Sequence, residues 1–427
     1  MVAYAVGYPP GGRPGDNQRM HELDIAFVRK QFPAFEEPSL RDQAFFENAG
    51  GSYPCRYAIW RLHRFYRERK VQPYGSFAAS EAAGAEMDEA RRRLARMLGV
   101  EEAELTFGPS TSANTYVLAQ AFRQWLNPGQ AIVVTDQDHE ANSGPWRRLA
   151  AEGIEVREWK MHPETGHLDP SDLAALLDDK VRLVCFPHCS NIVGEINPVA
   201  EVCAMVRRAG ALSCVDGVSY APHGLPDVGR LGCDIYLFST YKTYGPHQGV
   251  MVMRRSLAER LPNQGHYFNA SSTAKRFNPA GPDHAQVAAC AGIADYVDAL
   301  YAHHVKAGRD ARDRAAVVHE LMRRHETRLL QPLLDYLAGR NDLRLIGPHQ
   351  AGHRAPTVAV AHERAGPALA ADLARHGINA GGGDFYAVRA LEALGIDPAH
   401  GVLRMSFVHY TSHEEVDRLI AALDCVL

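Results

Sequence analysis

The stretch of residues 234–249 reads Asp-Ile-Tyr-Leu-Phe-Ser-Thr-Tyr-Lys-Thr-Tyr-Gly-Pro-His-Gln-Gly. An apolar run at 235–238 enters a polar loop, and a second apolar run at 250–253 leaves it. The pattern predicts two buried strands with Lys242 at the tip of their connection, where a rigid scaffold can direct one side chain into a cleft. An amine there can act as a nucleophile if its surroundings lower its pKa. A solvated surface lysine is the alternative that this stretch leaves open.

The composition of the whole chain is typical of a globular protein with more than one core. Its 427 residues are 46% hydrophobic and 22% charged, and the length is sufficient for two domains. The net charge of −4 and the lack of a basic block argue against nucleic acid as a partner. The longest apolar runs are far below the length of a membrane span. Residues 1–20 are rich in Gly, Pro and polar groups and are expected to form a flexible arm without a signal-peptide core.

The cysteines and histidines are dispersed along the chain. Eight Cys occur without a Cys-x-x-Cys pair, which favours reduced thiols in a cytoplasmic protein over disulfides or a zinc site. The 21 His residues also lack acidic or thiol neighbours at the spacing of metal ligands. No metal is therefore expected.

Short apolar segments alternate with helical periodicity through the first two thirds of the chain. This order predicts an α/β fold with a mostly parallel sheet between helices, and the composition changes after about residue 280 to an α+β pattern. We expect an N-terminal arm at 1–35, a large domain at 36–304 and a smaller C-terminal domain at 305–427. The predicted strands of the large domain are 105–107, 131–134, 154–159, 181–186, 211–215, 235–238 and 250–253.

In the C-terminal part, three further features are predicted. A single long helix is expected at 286–300. A charged helix is expected at 310–340, with an interruption near Glu326. The glycine run 381–383 is expected to belong to a loop that ends at Tyr386.

Polar side chains recur where the predicted strands end. They are His139, Asn191, Asp216, Ser239 and Lys242. Ligands bind at the carboxyl edge of open α/β sheets, and five polar residues on successive strands indicate a site more strongly than any one of them does.

A hydroxyl-rich turn at 108–114 precedes a helix that carries Val117, Leu118 and Phe122. Free backbone N–H groups, hydroxyl donors and the positive end of the helix dipole suit a phosphate. A simple helix cap is the alternative for this turn.

A phosphate turn, a strand-end lysine and an upstream acid together indicate pyridoxal phosphate. The lysine can form a Schiff base with the aldehyde, and the acid can pair with the ring nitrogen. A nicotinamide enzyme would need Gly-x-Gly-x-x-Gly after its first strand, and the sequence has none.

At these residues the sequence resembles the class V aminotransferases, most closely the cysteine desulfurase-like branch of fold-type I pyridoxal-phosphate enzymes. The motifs that carry the resemblance are Phe-Glu-Asn-Ala-Gly-Gly at 46–51, the turn before Asn114, His-x-x-Asn-x-x-Pro-Trp at 139–146, Ser-Asn-x-x-Gly at 190–194, Val-Asp-Gly at 215–217 and Ser-x-Tyr-Lys-x-Tyr-Gly-Pro at 239–246. The resemblance implies a seven-stranded large domain, a smaller α+β domain and a homodimer with active sites near the interface.

The resemblance also implies roles for individual residues. The catalytic residues would be Lys242 as the Schiff-base lysine, Asp216 on the ring nitrogen and His139 on the ring face. The residues implied to bind the cofactor are Thr111, Ser112, His139, Asn191, Asp216, Ser219, Ser239, Tyr241, Lys242 and Gly281. Those implied to bind substrate are Arg404, which would grip the carboxylate, with Asn48, Asn191 and Tyr386.

Four departures from the family pattern matter. Ser219 stands where the family often has Gln, and Tyr241 where it often has His. The cross-subunit Gly-Thr turn corresponds to 278–282, which contains Gly281 but no threonine. The desulfurases carry a loop cysteine that attacks substrate sulfur, and the matching stretch 381–386 has no thiol.

The leading hypothesis is therefore an enzyme that forms an external aldimine with an L-amino acid, including sulfur- or sulfonium-bearing ones, and catalyses β- or γ-elimination or replacement. The protein would not be a persulfide-forming desulfurase. Alternatives are a class V aminotransferase, an amino-acid epimerase, or a non-catalytic cofactor-binding scaffold or regulator.

Overall fold

The computed structural model describes residues 22–305 and 307–427. The expected arm at 1–35 lies mostly outside these residues. Its described part contains one short α-helix, Ile25–Arg29. The strands are β1 Ala44–Phe46, β2 Leu105–Gly108, β3 Ala131–Thr135, β4 Glu155–Trp159, β5 Val181–Pro187, β6 Leu212–Asp216, β7 Ile235–Ser239, β8 Gly249–Met253, β9 Leu343–Ile346, β10 Thr357–His362, β11 Ile378–Gly383 and β12 Val402–Ser406.

The helices include two long ones, α3 and α12. In chain order they are α1 Ile25–Arg29, α2 Arg56–Glu68, α3 Ala78–Met97, α4 Thr111–Trp125, α5 Glu140–Arg147, α6 Pro170–Leu176, α7 Val199–Arg208, α8 Val228–Leu231, α9 Arg255–Arg260, α10 His284–Ala289, α11 Ala291–His304, α12 Ala311–Ala338, α13 Gly366–Arg375, α14 Val388–Ala393 and α15 His413–Val426. None of the helices in the described part of the chain is long and apolar enough to cross a membrane.

The larger sheet has seven strands in the order β2-β8-β7-β6-β5-β3-β4. Neighbouring strands pair in parallel along β7-β6-β5-β3-β4, whereas β8 pairs antiparallel with both β7 and β2. All seven predicted strands are present, so the predicted α/β fold with a mostly parallel sheet is confirmed.

Both faces of this sheet are buried. Along β3, Ile132 and Val134 pack in a cluster with Leu118 and Phe122 of α4, whereas Val133 belongs to the core on the opposite face. Successive side chains of a strand point to opposite faces, so a sheet covered on both sides produces continuous apolar runs. This explains why the strands appear in the sequence as unbroken apolar segments.

The second sheet has five strands in the order β1-β11-β12-β10-β9. Strand β1 pairs in parallel with β11, although the predicted division placed it in the large domain at 36–304. The cause is a long-range pairing that local sequence does not encode: Ala44 lies opposite Ile378. The glycine run 381–383 is also corrected from a loop to the end of strand β11, because it pairs with residues 402–404 of β12.

Helix α12 runs without interruption through Glu326, which corrects the predicted break. The Glu326 side chain is fully buried and accepts a hydrogen bond from Nδ1 of His223 at 3.0 Å, so a tertiary partner stabilises the charge that suggested a break. Early residues of α12 such as Val318 pack on the large core, and later ones such as Leu333 pack on the smaller sheet. The division into two domains stays a prediction, with α12 contacting both cores.

The predicted helix at 286–300 is divided in the structure. Helix α10 ends at Ala289 and α11 begins at Ala291, with Cys290 between them. The two helices pack against α2 and α3 on the outer side of the large sheet. Small residues make the close packing possible: a Cβ on Gly292 would lie 2.4 Å from the backbone nitrogen of Ala58.

Candidate active site

A cavity opens at the carboxyl edge of the parallel strands. Segments after β3, β5, β6 and β7 and the first turn of α4 form its walls. Nine predicted cofactor residues line it, namely Thr111, Ser112, His139, Asn191, Asp216, Ser219, Ser239, Tyr241 and Lys242. The strand ends therefore bring together side chains that are up to 131 positions apart in the sequence, as the topology of a parallel sheet predicts.

Lys242 closes a 3-10 turn that follows β7. Its backbone carbonyl accepts a hydrogen bond from Oγ of Ser52 at 2.7 Å, which fixes the turn. Among the described residues the side chain makes no hydrogen bond, and its Nζ lies 5.9 Å from the centre of the Tyr241 ring. Burial, together with the positive charge of Arg404, lowers the pKa of Lys242 to about 8. A substantial neutral fraction of this amine therefore exists near neutral pH.

Asp216 is the last residue of β6 and is almost fully buried. Its Oδ1 accepts a hydrogen bond from the N–H of Val218 at 2.8 Å. Burial raises the pKa of the Asp216 carboxyl, while the nearby charge of Lys242 acts in the opposite direction. A second cation facing this carboxylate would therefore favour its ionised form.

His139 precedes helix α5 as its N-cap residue. Its Nδ1 accepts a hydrogen bond from the N–H of Ala141 at 3.0 Å, and this bond sets the orientation of the ring. Burial and the charges of Lys242 and Arg404 lower the pKa of His139 to about 4. The imidazole is therefore neutral at physiological pH, which suits stacking on a flat ring.

The start of helix α4 presents hydroxyl groups to the cavity. The hydroxyls of Thr111 and Ser239 are 2.7 Å apart, and Ser112 lies beside them in the lining. Ser110 caps the helix by accepting a hydrogen bond from the N–H of Ala113 at 3.1 Å. The predicted cap is therefore present and leaves the cavity hydroxyls free for an anion, because the capping hydroxyl and the cavity hydroxyls belong to different residues.

Tyr241 and Ser219 complete the polar wall. The ring of Tyr241 stacks on His247 with centroids 4.8 Å apart, and burial raises the pKa of its hydroxyl. This phenol therefore remains a neutral donor at physiological pH. Ser219 is buried in the lining near Asp216.

Arg404, predicted to grip a substrate carboxylate, is already engaged by side chains of this protein. It lies on β12 with 3% of its surface exposed and does not line the cavity. Its Nη2 donates to Oε1 of Glu47 at 2.6 Å, and its Nη1 donates to the backbone carbonyl of Asn191 at 3.3 Å. The ring of Phe385 lies 3.7 Å from the guanidinium carbon.

Of the other residues predicted to bind substrate, Asn191 lines the cavity and Asn48 does not. The amide nitrogen of Asn191 donates to the carbonyl of Phe385 at 3.0 Å, while its Oδ1 is buried without a hydrogen-bond partner among the described residues. Asn48 is buried away from the cavity, with its amide bonded to the Ser406 carbonyl and its Oδ1 to the Tyr410 hydroxyl. Gly281 is exposed and outside the cavity lining.

Tyr386 stands at the cavity rim with 72% of its surface exposed. Its ring centroid is 5.6 Å from that of His139, and its carbonyl accepts a hydrogen bond from the N–H of Glu140 at 2.8 Å. Phe385 and Tyr386 both have positive φ, at 52° and 56°. Strained backbone of this kind clusters at ligand-binding segments, and here it follows strand β11 directly above the site.

Two residues near the site were missed by sequence reasoning. Cys189 lines the cavity, and its position just before Asn191 in a strand-end segment was the signal that could have found it. Glu47 was quoted within a motif, but nothing local indicates that its carboxylate contacts Arg404 from the far end of the chain. Such contacts depend on the pairing of β1 with the second sheet.

Comparison with known proteins places this geometry in a family. The model of the family "Aminotransferase class-V" matches residues 44–419. The Aminotransferase-like protein FGM3 of Gibberella zeae is 32% identical over 417 residues, covering 95% of this chain and 99% of that protein. A cysteine desulfurase of Pectobacterium atrosepticum is 30% identical over 417 residues, covering 93% and 97%.

Solved structures agree on the fold. The apo cysteine desulfurase of Thermococcus onnurineus NA1 superposes with a TM-score of 0.81 at 23% identity, covering 96% of this chain and 99% of that one. The cysteine desulfurase CsdA of Escherichia coli gives a TM-score of 0.78 at 23% identity, covering 95% and 99%.

The fold and the site together define a fold-type I enzyme that depends on pyridoxal 5′-phosphate. The chain belongs to the class V aminotransferase family, and the resemblance inferred from its motifs is confirmed.

The residues present fit this cofactor. Hydroxyls at a helix N-terminus match a phosphate, the buried Asp216 carboxylate matches a protonated ring nitrogen, and the lysine amine is nucleophilic. The orphaned Oδ1 of Asn191, buried at the cavity wall, is a further unsatisfied polar atom that a ligand can pair with.

Proposed function

We propose that the protein catalyses β- or γ-elimination or replacement on an L-amino acid and does not form a persulfide. Sulfur- or sulfonium-bearing amino acids are the substrate class to test first. When bound, pyridoxal phosphate withdraws electrons from the bonds at the Cα of an amino acid and so makes its proton removable. The other steps depend on residues of this chain.

The first task is to hold and orient the cofactor. Thr111, Ser112 and Ser239 offer hydroxyls and the N-terminal amides of α4 to its phosphate, and the Tyr241 phenol adds a neutral donor. His139, neutral and fixed by its bond to the Ala141 N–H, would cover one face of the ring. These contacts would orient the ring relative to the bonds of the substrate.

The second task is electrostatic. The Asp216 carboxylate, held by the Val218 N–H, would pair with a proton on the ring nitrogen and keep it there. Such pairing offsets the burial that raises the pKa of Asp216. The Ser219 hydroxyl and the Asn191 side chain, which both line the cavity, would hold the phenolic oxygen of the ring.

Lys242 would then move the proton at Cα. Its pKa of about 8 allows the amine to accept a proton near neutral pH and to return it to Cβ or to a leaving group. A base of this strength suits elimination, because the same group can act as an acid in the following step.

One observation argues most directly against a persulfide mechanism: the absence of an available thiolate among the described residues. Seven of the eight cysteines are buried, and Cys425 is exposed on α15 outside the cavity. Cys189 reaches the cavity wall, but its thiol donates to the Gly194 carbonyl at 3.2 Å and burial raises its pKa to about 12. The thiolate is the nucleophile, so this thiol is inert at neutral pH.

A panel of amino acids tests the proposal. The cofactor-loaded protein is incubated with L-cysteine, S-alkyl-L-cysteines and sulfonium derivatives of L-methionine, and the keto acid, the released thiol or thioether and the mass of the protein are measured. Release of a side-chain group without added mass on the protein is expected. A persulfide on any cysteine during turnover of L-cysteine would contradict the proposal.

Transamination is the second candidate, because the relative with 32% identity carries the name Aminotransferase-like protein. It predicts amino transfer to a keto acid with no loss of the side chain. Incubation with an amino acid labelled at nitrogen and with pyruvate separates the two reactions, since transamination passes the label to alanine whereas elimination releases it as ammonia. Epimerisation is distinguished in the same samples by exchange of the Cα hydrogen with solvent and by the appearance of the D-isomer.

We also propose a cytoplasmic homodimer, as the family resemblance implied. Its support here is a group of exposed large side chains on α2 and the segment after it: Ile59, Trp60, Tyr66, Tyr74 and Phe77. Exposed apolar groups in this number favour an interface. Gly281 would contribute its N–H to the neighbouring site in that dimer.

A further inference from the structure

The carboxylate of Glu47 occupies the guanidinium of Arg404. Glu47 follows strand β1, and its Oε1 lies 2.6 Å from Nη2 of Arg404, with the arginine side chain 3% and the glutamate side chain 28% exposed. A charge-assisted hydrogen bond in a largely dry place is among the stronger polar contacts in proteins. An incoming carboxylate must therefore compete with it.

The guanidinium has one free donor, Nε, which is buried without a hydrogen-bond partner among the described residues and shares its edge with Nη2. Nη1 donates to the Asn191 carbonyl at 3.3 Å, and Phe385 covers one face at 3.7 Å. A guanidinium can hold a carboxylate through two hydrogen bonds at the Nη1–Nη2 edge or at the Nε–Nη2 edge, and both edges include Nη2. A second anion at either edge would stand beside the Glu47 carboxylate and be repelled by it.

Two glycines leave room for the Glu47 carboxylate. A Cβ on Gly50 would lie 2.9 Å from Oε1 of Glu47, and a Cβ on Gly381 would lie 2.4 Å from its Oε2. Neither glycine has a positive φ, so their lack of a side chain, and not their backbone conformation, is what the site requires. The turn after β1 and strand β11 therefore both leave space for this contact.

The pair also lies within electrostatic reach of Lys242. The charge of Arg404 lowers the pKa of Lys242, and that of Glu47 raises it. Oε2 of Glu47 is buried and has no hydrogen-bond partner among the described residues. A carboxylate held through one oxygen, with the other unsatisfied, is exchangeable at lower cost than one bound through both.

We propose that Glu47 is a specificity-determining residue that acts as an intramolecular competitor for the carboxylate position on Arg404. The substrate carboxylate displaces Glu47 on binding. A ligand without a carboxylate leaves the Glu47–Arg404 pair in place, so Glu47 weakens the binding of amino acids and leaves the binding of simple amines unchanged. This inference rests on the proposed function, because it assigns the substrate carboxylate to Arg404.

The test compares Glu47→Gln with the wild type and with Glu140→Gln. Glu140 lies at the cavity rim, 3.5 Å from Arg389, so its substitution removes a nearby negative charge without altering Arg404. The ligands are 2-aminoisobutyrate, which has no Cα–H to lose, and its amide, which has no carboxylate. Binding to the cofactor-loaded protein is measured by calorimetry and by the absorbance of the cofactor.

In Glu47→Gln the dissociation constant of 2-aminoisobutyrate is expected to fall about tenfold, because a neutral amide competes less well than a carboxylate for a charged donor. The amide ligand and the Glu140→Gln variant should show no such change. Weaker or unchanged binding of the acid in Glu47→Gln, with binding intact in the wild type, would overturn the inference and leave the proposed function standing. Absence of binding in all three proteins would instead overturn the proposed function, and the inference with it.

Discussion

At the level of single residues, burial changes the acidity of the groups that line the site. It lowers the pKa of Lys242 to about 8 and that of His139 to about 4, and it raises the pKa of Asp216. Each shift disfavours the charged form of an isolated side chain. The charged form of such a side chain is favoured only when an opposite charge lies beside it. A bound cofactor would supply such a charge, since its protonated ring nitrogen can face a carboxylate.

Replacement of the lysine should separate cofactor attachment from folding. Lys242→Ala is expected to abolish the chromophore that borohydride reduces and to lower turnover at least about a hundredfold. Lys180→Ala, at an exposed position, is the matched control and should change neither. An unaltered reducible chromophore in Lys242→Ala would show that another amine holds the cofactor.

The pKa of Lys242 predicts a pH dependence for cofactor attachment. Only the neutral amine attacks an aldehyde, so the rate of pyridoxal phosphate addition to the cofactor-free protein should rise with pH below about 8 and level off above it. Stopped-flow absorbance between pH 6 and pH 10 measures this, with the range chosen to span about two units on either side. A midpoint near that of an ordinary exposed lysine would argue against the lowered pKa.

Asp216→Asn tests the electrostatic role of the acid. The asparagine can still bond the ring nitrogen but cannot hold a proton there by charge, so turnover should fall about 10- to 100-fold while the cofactor remains bound. Parallel measurement of cofactor content and turnover separates the two effects. Loss of the cofactor with normal turnover per bound cofactor would contradict this role.

At the level of elements, three helices are joined by one partly buried network of charges. Arg61 of α2 donates to Asp295 of α11 at 2.6 Å and to Glu89 of α3 at 2.9 Å, and Arg93 of α3 reaches Asp298 at 2.9 Å. Arg61 has 9% of its side chain exposed, so the network excludes water at its centre. These contacts hold α2, α3 and α11 on the large sheet.

Arg61→Met should lower the free energy of unfolding by about 2 kcal/mol, because the partly buried carboxylates of Glu89 and Asp295 then lose one of their two arginine partners and keep only Arg93. Urea denaturation followed by circular dichroism measures it. The control is Arg255→Met, which breaks an exposed pair with Glu259 and is expected to leave unfolding unchanged. Equal effects of the two variants would contradict the assignment of a structural role to the network.

At the level of the whole molecule, the site lies where two sheets meet. The large sheet supplies Lys242, Asp216 and His139, and the smaller sheet brings Arg404 and the segment after β11 towards them. Helix α12 packs on both cores and so couples their positions. The residue proposed to bind the substrate carboxylate and the residues proposed to act with the cofactor therefore lie on different sheets.

Sedimentation velocity should give a mass of twice one chain at micromolar concentrations, as expected for a homodimer with a two-fold axis. Trp60→Glu, which places a charge among the exposed large side chains of α2, should shift the distribution towards monomer. A wild-type monomer under these conditions would contradict the proposed assembly.

Much of the fold and of the cofactor pocket was predictable from local sequence. Buried parallel strands leave apolar runs, their polar ends follow in order, and nine of the predicted residues meet in one cavity. This succeeds because the topology of a parallel sheet places successive strand ends at the same edge. The predicted glycine loop failed at 381–383 because strand pairing with β12 overrides local turn preference.

The sequence alone determined the class of the enzyme, its seven-stranded sheet and nine of the residues that line the cavity, since these depend on patterns within short segments. Only the tertiary structure decided that strand β1 crosses to the second sheet and brings Glu47 onto Arg404. It also decided the pKa of Lys242 and the inert state of Cys189, because burial is a property of the packed chain and not of any segment. Pairing between strands that are distant in the sequence depends on the packing of the whole core, so no single segment encodes it.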